Sequence, residues 1–173
     1  MSTFILGINA FHGDAAACIL RDGTLVAAAE EERFRRIKHW AGFPSEAIRY
    51  CLAEAGVTID QVDHIAINRN PSANLLKKAL FAFSKRPSLE AVSDRLKNAG
   101  RVKGVAELLA NALSVKLSTI QGKIHHIEHH LAHMGSSFLV SPFDNAAVVS
   151  VDGFGDFVST MWGIGKDSDI SVN

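Results

Sequence analysis

The spacing of apolar positions changes several times along the chain, and each change marks a predicted element. "TFILGINAF" is a short apolar run rich in β-formers, and "DAAACILRDGTLVAAAEEER" holds two more apolar runs on either side of Asp22-Gly23. An Asp-Gly loop tolerates the positive φ angles of a tight hairpin, so three consecutive antiparallel strands are expected to open the chain. In "GFPSEAIRYCLAEAG" the period lengthens: Ile48, Cys51, Leu52 and Ala55 recur at helical spacing, Ser45 is placed to cap the first turn, and Gly56 ends the segment. "VDHIAIN" then reads as a fourth strand, buried on both faces.

Residues 71–120 are helical in pattern, locally basic, and punctuated by Pro87 and Gly100, as if two or three helices were threaded in before the next strand. Solvated helix faces covering a sheet are the simpler account of that charge, with a phosphate-binding patch as the alternative. Beyond it, "KIHHIEHH" predicts a short strand leading into a helix, "HLAHMGSSFLVS", and "NAAVVSVDG" and "FVSTMWGIG" predict two further strands. The final "KDSDISVN" reads as a turn and the start of another strand. The whole predicts an α/β fold in two lobes: residues 1–143, with a helical insert at about 71–120, and the beginning of a second lobe over 144–173. The second set of strands repeats the layout of the first and stops early, so the sequence reads as the front part of a longer protein.

Composition narrows the classes. A 47% hydrophobic content suits a globular protein with a buried core, and eighteen basic residues balance eighteen acidic ones. With no global field, neither nucleic acid nor a membrane surface is an expected partner. Cys18 and Cys51 are too few and too scattered for a disulfide framework, which fits a reducing, cytoplasmic setting. The opening "MSTFILGINAFHGDAAACIL" is interrupted by Asn9, His12 and Asp14 and reads as neither signal peptide nor membrane span.

Candidate chemistry concentrates in "HHIEHHLAHMGSSFLVSPFDNAAVVSVDG", where five of the eight histidines fall within nine residues. On a helix, His129 and His133 are offset by about 40° and share a face; His130 and His133 are offset by about 60° and are also neighbours. Spacing alone leaves both pairs open. Asp152, at the end of an apolar strand, is the candidate third ligand, and two imidazoles with a carboxylate suit a divalent transition metal without naming it. A metalloprotease is disfavoured, because His130, Leu131 and Ala132 leave no glutamate base between the two outer histidines. The second intrusion of polarity is His12, in "NAFHGDAAA" between the first two strands. Gly13 is expected to loosen the backbone there, and an imidazole at a sheet edge is a candidate acid or base. The block "EEERFRRIKH" is read as a surface of ion pairs between Glu30, Glu31 and Glu32 and Arg33, Arg35, Arg36 and Lys38, with phosphate contact as the alternative.

"GINAFHGDAAACILRDGTLVAAAEEERFRRIKHWAGFPSEAI", "HHLAHMGSSFLVSPFDNAAVVSVDGFGD" and "STMWGIG" together resemble the N-terminal region of the O-carbamoyltransferase family, which includes nodulation-factor and antibiotic-tailoring enzymes. The resemblance implies an actin-like ATPase (ribonuclease-H-like) fold related to the tRNA threonylcarbamoyladenosine transferases. It implies a reaction in which carbamoyl phosphate and ATP form carbamoyl adenylate, and the carbamoyl group then passes to a hydroxyl of a small sugar or secondary metabolite. Carried onto this chain, it makes His129, His133 and Asp152 metal ligands, with Fe(II) as the ion. It places His12 near the transfer site and Gly153 and Gly155 near the nucleotide. Because members run several hundred residues, this chain alone is expected to be an incomplete enzyme; self-association is left open. The competing expectation is a noncatalytic binding or assembly module that keeps the fold. A ribonuclease-H-like nuclease has too few carboxylates here, and a sugar or acetate kinase would need a whole second lobe.

Overall fold

A computed structural model describes residues 2–70, 73, 104–155 and 158–172, with side chains described except at 154 and 155. The part of the helical insert that falls at 71–103 therefore lies, apart from Ala73, outside the described residues. The chain divides into two compact units, within Met1–Asn68 plus Ser93–His126 and within Arg69–Val92 plus Ile127–Asn173.

The first unit is built on strands β1 (Phe4–Asn9), β2 (Ala16–Arg21), β3 (Thr24–Glu30), β4 (His64–Ile67) and β5 (Lys123–His126). They form one mixed sheet in the order β3-β2-β1-β4-β5: β1, β2 and β3 pair antiparallel, while β1, β4 and β5 pair parallel. The expected hairpin turn is present. Asp22 and Gly23 take φ of 51° and 81°, the left-handed pair that a tight two-residue loop between twisted strands demands.

Strand alternation then sorts the side chains by face. Leu6, Ile8, Ala17, Ile19, Ala27, Ile65 and Ile67 all point to one buried face. Helix α2 (Ser45–Ala55), which follows the single-turn α1 (Glu32–Arg35), covers that face with Ala47, Ile48, Cys51, Leu52 and Ala55. Helix α3 (Val105–Leu113) adds Val105 and Leu109. Each fully buried Leu or Ile contributes about 1.5–3 kcal/mol relative to exposure, so this core is the main source of the unit's stability. Strand β4 departs from expectation: Ile65 and Ile67 are buried, but His64 and Ala66 on its other face are only half-buried. The reason is polar, since His64 Nδ1 lies 3.1 Å from Nε2 of His125 on β5.

The start of α2 also corrects the expected cap. Ser45 is the first helical residue and makes no cap; Pro44 precedes it. The orphan amides of the first turn are taken instead by Glu31, which is fully buried and accepts from Glu46 N at 2.9 Å and Ala47 N at 2.8 Å. Its other oxygen accepts from Arg35 Nε at 2.6 Å, and the Arg35 guanidinium lies 4.5 Å from the Trp40 ring. The charged block is thus only partly a solvated surface. Arg33 and Glu30 pair in the open, whereas Glu31 and Arg35 lock a helix start to the end of β3.

The second unit pairs β6 (Asn145–Gly155), β7 (Val158–Lys166) and β8 (Asp169–Val172) as an antiparallel sheet under helix α4 (His129–Phe138). Its core is small: Met134 and Phe138 pack on Val148, flanked by Ala146, Met161 and Ile170. Gly165 makes room for the helix, because a Cβ there would stand 2.6 Å from the Phe138 ring. The last boundary between the compact units falls at 126/127, because α4 buries its apolar stripe on β6 and β7.

Candidate metal centre

Helix α4 begins where Glu128, in extended conformation, accepts the Leu131 amide on its side chain at 2.8 Å. That cap fixes the start of a helix that carries three of the five clustered histidines. Below it, residues 148, 150 and 152 of β6 share one face by strand alternation. They meet the helix in sequence: Val148 packs on Met134 and Phe138, Ser150 on His130, and Asp152 on His129.

This packing resolves which histidine pairs with His133. His130 is fully buried; its Nε2 donates to the Val158 carbonyl at 2.8 Å, and its Nδ1 lies 2.8 Å from Ser150 Oγ. With both ring nitrogens occupied by the sheet, His130 is a structural latch. His129 and His133 instead turn the same nitrogen toward one point. His129 Nε2 is 2.7 Å from Asp152 Oδ2, His133 Nε2 is 3.1 Å from His129 Nε2, and His133 Nε2 is 3.7 Å from Asp152 Oδ2.

Three ligand atoms, each about 2.1 Å from one transition-metal ion, stand roughly 3.0–3.4 Å apart in octahedral or tetrahedral arrangement. The observed separations bracket that range, and the donor set of two imidazoles and a carboxylate suits a divalent transition metal. His129 is nearly buried while His133 and Asp152 are open, so one side of the trio faces solvent. The Asp152 carboxyl is held below the usual carboxylate range, chiefly by its hydrogen bond to His129 and then by the Gly153 amide at 2.6 Å. It is an anion at neutral pH, as a ligand must be.

Gly153 and Gly155 lie in the irregular stretch of β6 where pairing with β7 breaks off after Val151 and resumes at Gly155 opposite Val158. His12 lies in the loop joining β1 to β2, with its Nε2 buried. The backbone freedom in that loop is not at Gly13. The positive φ angles fall on Phe11 (65°) and Asp14 (62°), and a second loop holds them there. Gly42 O accepts from Phe11 N, Trp40 O accepts from Ala15 N at 2.9 Å, and His39 Nδ1 lies 2.8 Å from Asp14 Oδ1. The Asp14 hydrogen bond raises the His39 imidazole above its ordinary value. Burial pushes the Cys51 thiol up to about 11 and also raises Cys18, so neither is an activated nucleophile.

Sequence reasoning missed two polar anchors of this geometry, the Glu128 cap and the His130–Ser150 latch. A signal for the second was available: Ser150 precedes Asp152 by two on the same strand, so it shares the ligand's face.

The comparisons agree with this architecture. A crystal structure of an uncharacterised Pseudomonas aeruginosa protein similar to peptidase YeaZ superposes with TM-score 0.51 at 14% identity, over 99% of this chain and 63% of that one; the fold is of the actin-like, ribonuclease-H-like class. An uncharacterised protein of Synechocystis sp. is 39% identical over 167 residues, covering 92% of this chain and 27% of that protein. The nodulation protein NolNO of Sinorhizobium fredii is 32% identical over 163 residues, covering 94% of this chain and 22% of that protein. The chain thus spans about a quarter of the length of these curated relatives. The family model described as "Carbamoyltransferase N-terminus" matches residues 4–173, and the chain belongs to that family.

Proposed function

We propose that this chain is the amino-terminal part of an enzyme that moves a carbamoyl group from carbamoyl adenylate, made from carbamoyl phosphate and ATP, to the hydroxyl of a small sugar or secondary metabolite. The observation that carries the reading is the convergence of His129, His133 and Asp152, whose ligand atoms all lie within 4.8 Å of one another, in a chain of the carbamoyltransferase family. These three residues would hold a divalent ion, Fe(II) by resemblance. Such an ion supplies a Lewis acid for the negative charge that builds on the carbamoyl oxygen and the departing phosphate.

The chain's own groups have separate tasks. The substrate hydroxyl oxygen bonds to the carbamoyl carbon, the bond from that carbon to the adenylate oxygen breaks, and AMP leaves. His12 takes the hydroxyl proton, a role an imidazole fills with little tuning near neutral pH. Gly153 and Gly155 let backbone amides approach the nucleotide phosphate without side-chain obstruction. His130 and Ser150 orient the helix so that its ligand face stays over β6.

The test is metal content after tag-free purification and loading with Fe(II), for wild type and for the His129→Ala, His133→Ala double variant. Near-stoichiometric metal in the wild type and loss in the variant are expected. Equal metal in both preparations overturns the site and leaves the noncatalytic module as the better account.

A further inference from the structure

The strand order β3-β2-β1-β4-β5 reverses direction between β1 and β4, since the chain leaves β1 toward β2 and leaves β4 toward β5. These two strands are parallel, so their carboxyl ends lie side by side. In open α/β sheets, small ligands bind outside the carboxyl ends of the strands at such a reversal. Here those ends carry two asparagines: Asn9 closes β1, and Asn68 follows β4.

Their amides form a directed relay. Asn9 Nδ2 donates to the Asp14 carbonyl at 2.9 Å, in the strained loop that carries His12. With its nitrogen committed, Asn9 presents Oδ1 to Asn68, whose Nδ2 donates to it at 3.0 Å. The Asn68 backbone amide donates to Ile8 O at 3.3 Å, which pins the residue to the end of β1. The relay therefore leaves Asn68 Oδ1 as its terminal acceptor. That oxygen is buried and meets no donor among the described residues. A buried acceptor left unmade costs more than a made one contributes, so an orientation held by two hydrogen bonds in this way calls for a donor from a ligand.

We infer that Asn68 Oδ1 is the specificity contact for the amino group of the carbamoyl donor; the inference rests on the carbamoyl-transfer reading above. A carbamoyl group differs from an acetyl group only in carrying NH2 where acetyl carries CH3. A site tells them apart only by offering an acceptor to those N–H bonds. A neutral amide oxygen suits a neutral N–H donor. It suits the reacting hydroxyl poorly, because that group must surrender its proton and an amide oxygen is a very weak base. Asn9 is the positioning residue, because without it Asn68 is free to turn its NH2 outward.

Stable sulfamoyl analogues of carbamoyl adenylate and acetyl adenylate are the probes, titrated by calorimetry into wild type, Asn68→Leu and Asn9→Ala, with circular dichroism to verify folding. The wild type should prefer the carbamoyl analogue by about 10- to 100-fold, the scale set by leaving one buried acceptor unpaired. Asn68→Leu should abolish that ratio while leaving affinity for the acetyl analogue unchanged. Asn9→Ala should reduce the ratio severalfold, an effect that a purely structural role would not produce, and it serves if the leucine variant fails to fold. A preference that survives both substitutions overturns the role of Asn68 and leaves carbamoyl recognition intact. A wild type without any preference overturns the inference and counts against the carbamoyl reading as well.

Discussion

Both units contain three consecutive antiparallel strands, β1–β3 in the first and β6–β8 in the second, and use their residues differently. In the first, seven strand residues and two helices close an extended apolar core, and its buried charge, Glu31, serves to start a helix. In the second, the buried core shrinks to Met134, Phe138 and Val148, and polar contacts add to it: His130 on Ser150 and Val158, His129 on Asp152. On its other face, Val149, Val151, Trp162 and Ile164 are substantially exposed. One unit is arranged for stability, while the other keeps a ligand-ready face. A site of three converging ligands needs a helix held by hydrogen bonds of defined direction, which apolar packing alone does not provide.

The contrast is most strongly tested at Ile65. Ile65→Ala in the first core should cost about 2–5 kcal/mol by urea unfolding and leave the metal content of the folded protein unchanged. Loss of metal in a folded Ile65→Ala protein would break the division of labour. Next in size, Glu31→Gln removes the charge that meets Arg35 and should cost about 1.5–3 kcal/mol in the same measurement, again without effect on metal. His130→Phe should reverse the pattern. Leaving Ser150 and the Val158 carbonyl unpaired costs about 1–3 kcal/mol, but metal affinity should fall about 10- to 100-fold, measured by competition with a chelator.

The smallest effect concerns pH. Partial burial, then His64 and Lys123, hold the His125 imidazole below its ordinary 6.5. A depressed folded value means the contribution to stability is complete above 6.5 and is lost as pH falls through the lower folded value. His39 has the opposite sign: its value is raised by Asp14, so its contribution is complete below 6.5 and is lost as pH rises through the higher folded value. Urea midpoints across that range should lose their acid-side fall in His125→Gln and their alkaline-side fall in His39→Ala.

Local chemistry made much of this legible in advance. Asp22-Gly23 specified its hairpin because few residue pairs tolerate two positive φ angles in succession. Ile48, Cys51, Leu52 and Ala55 marked the buried stripe of α2, and Gly56 its left-handed end at φ 64°. The convergence of His129, His133 and Asp152 could be anticipated as well, because i, i+4 spacing places two imidazoles on one helical face and a strand end often carries a carboxylate.

What the chain order by itself determined was therefore whatever depends on backbone preference and side-chain period within one element. The tertiary structure decided the rest. It gave the cap of α2 to Glu31 rather than Ser45, moved the strain of the first loop from Gly13 to Phe11 and Asp14, and assigned His130 to the sheet so that His129 faced Asp152. Each of these depends on a partner distant in sequence, and a hydrogen-bonding group has a definite role only once its partner is in place.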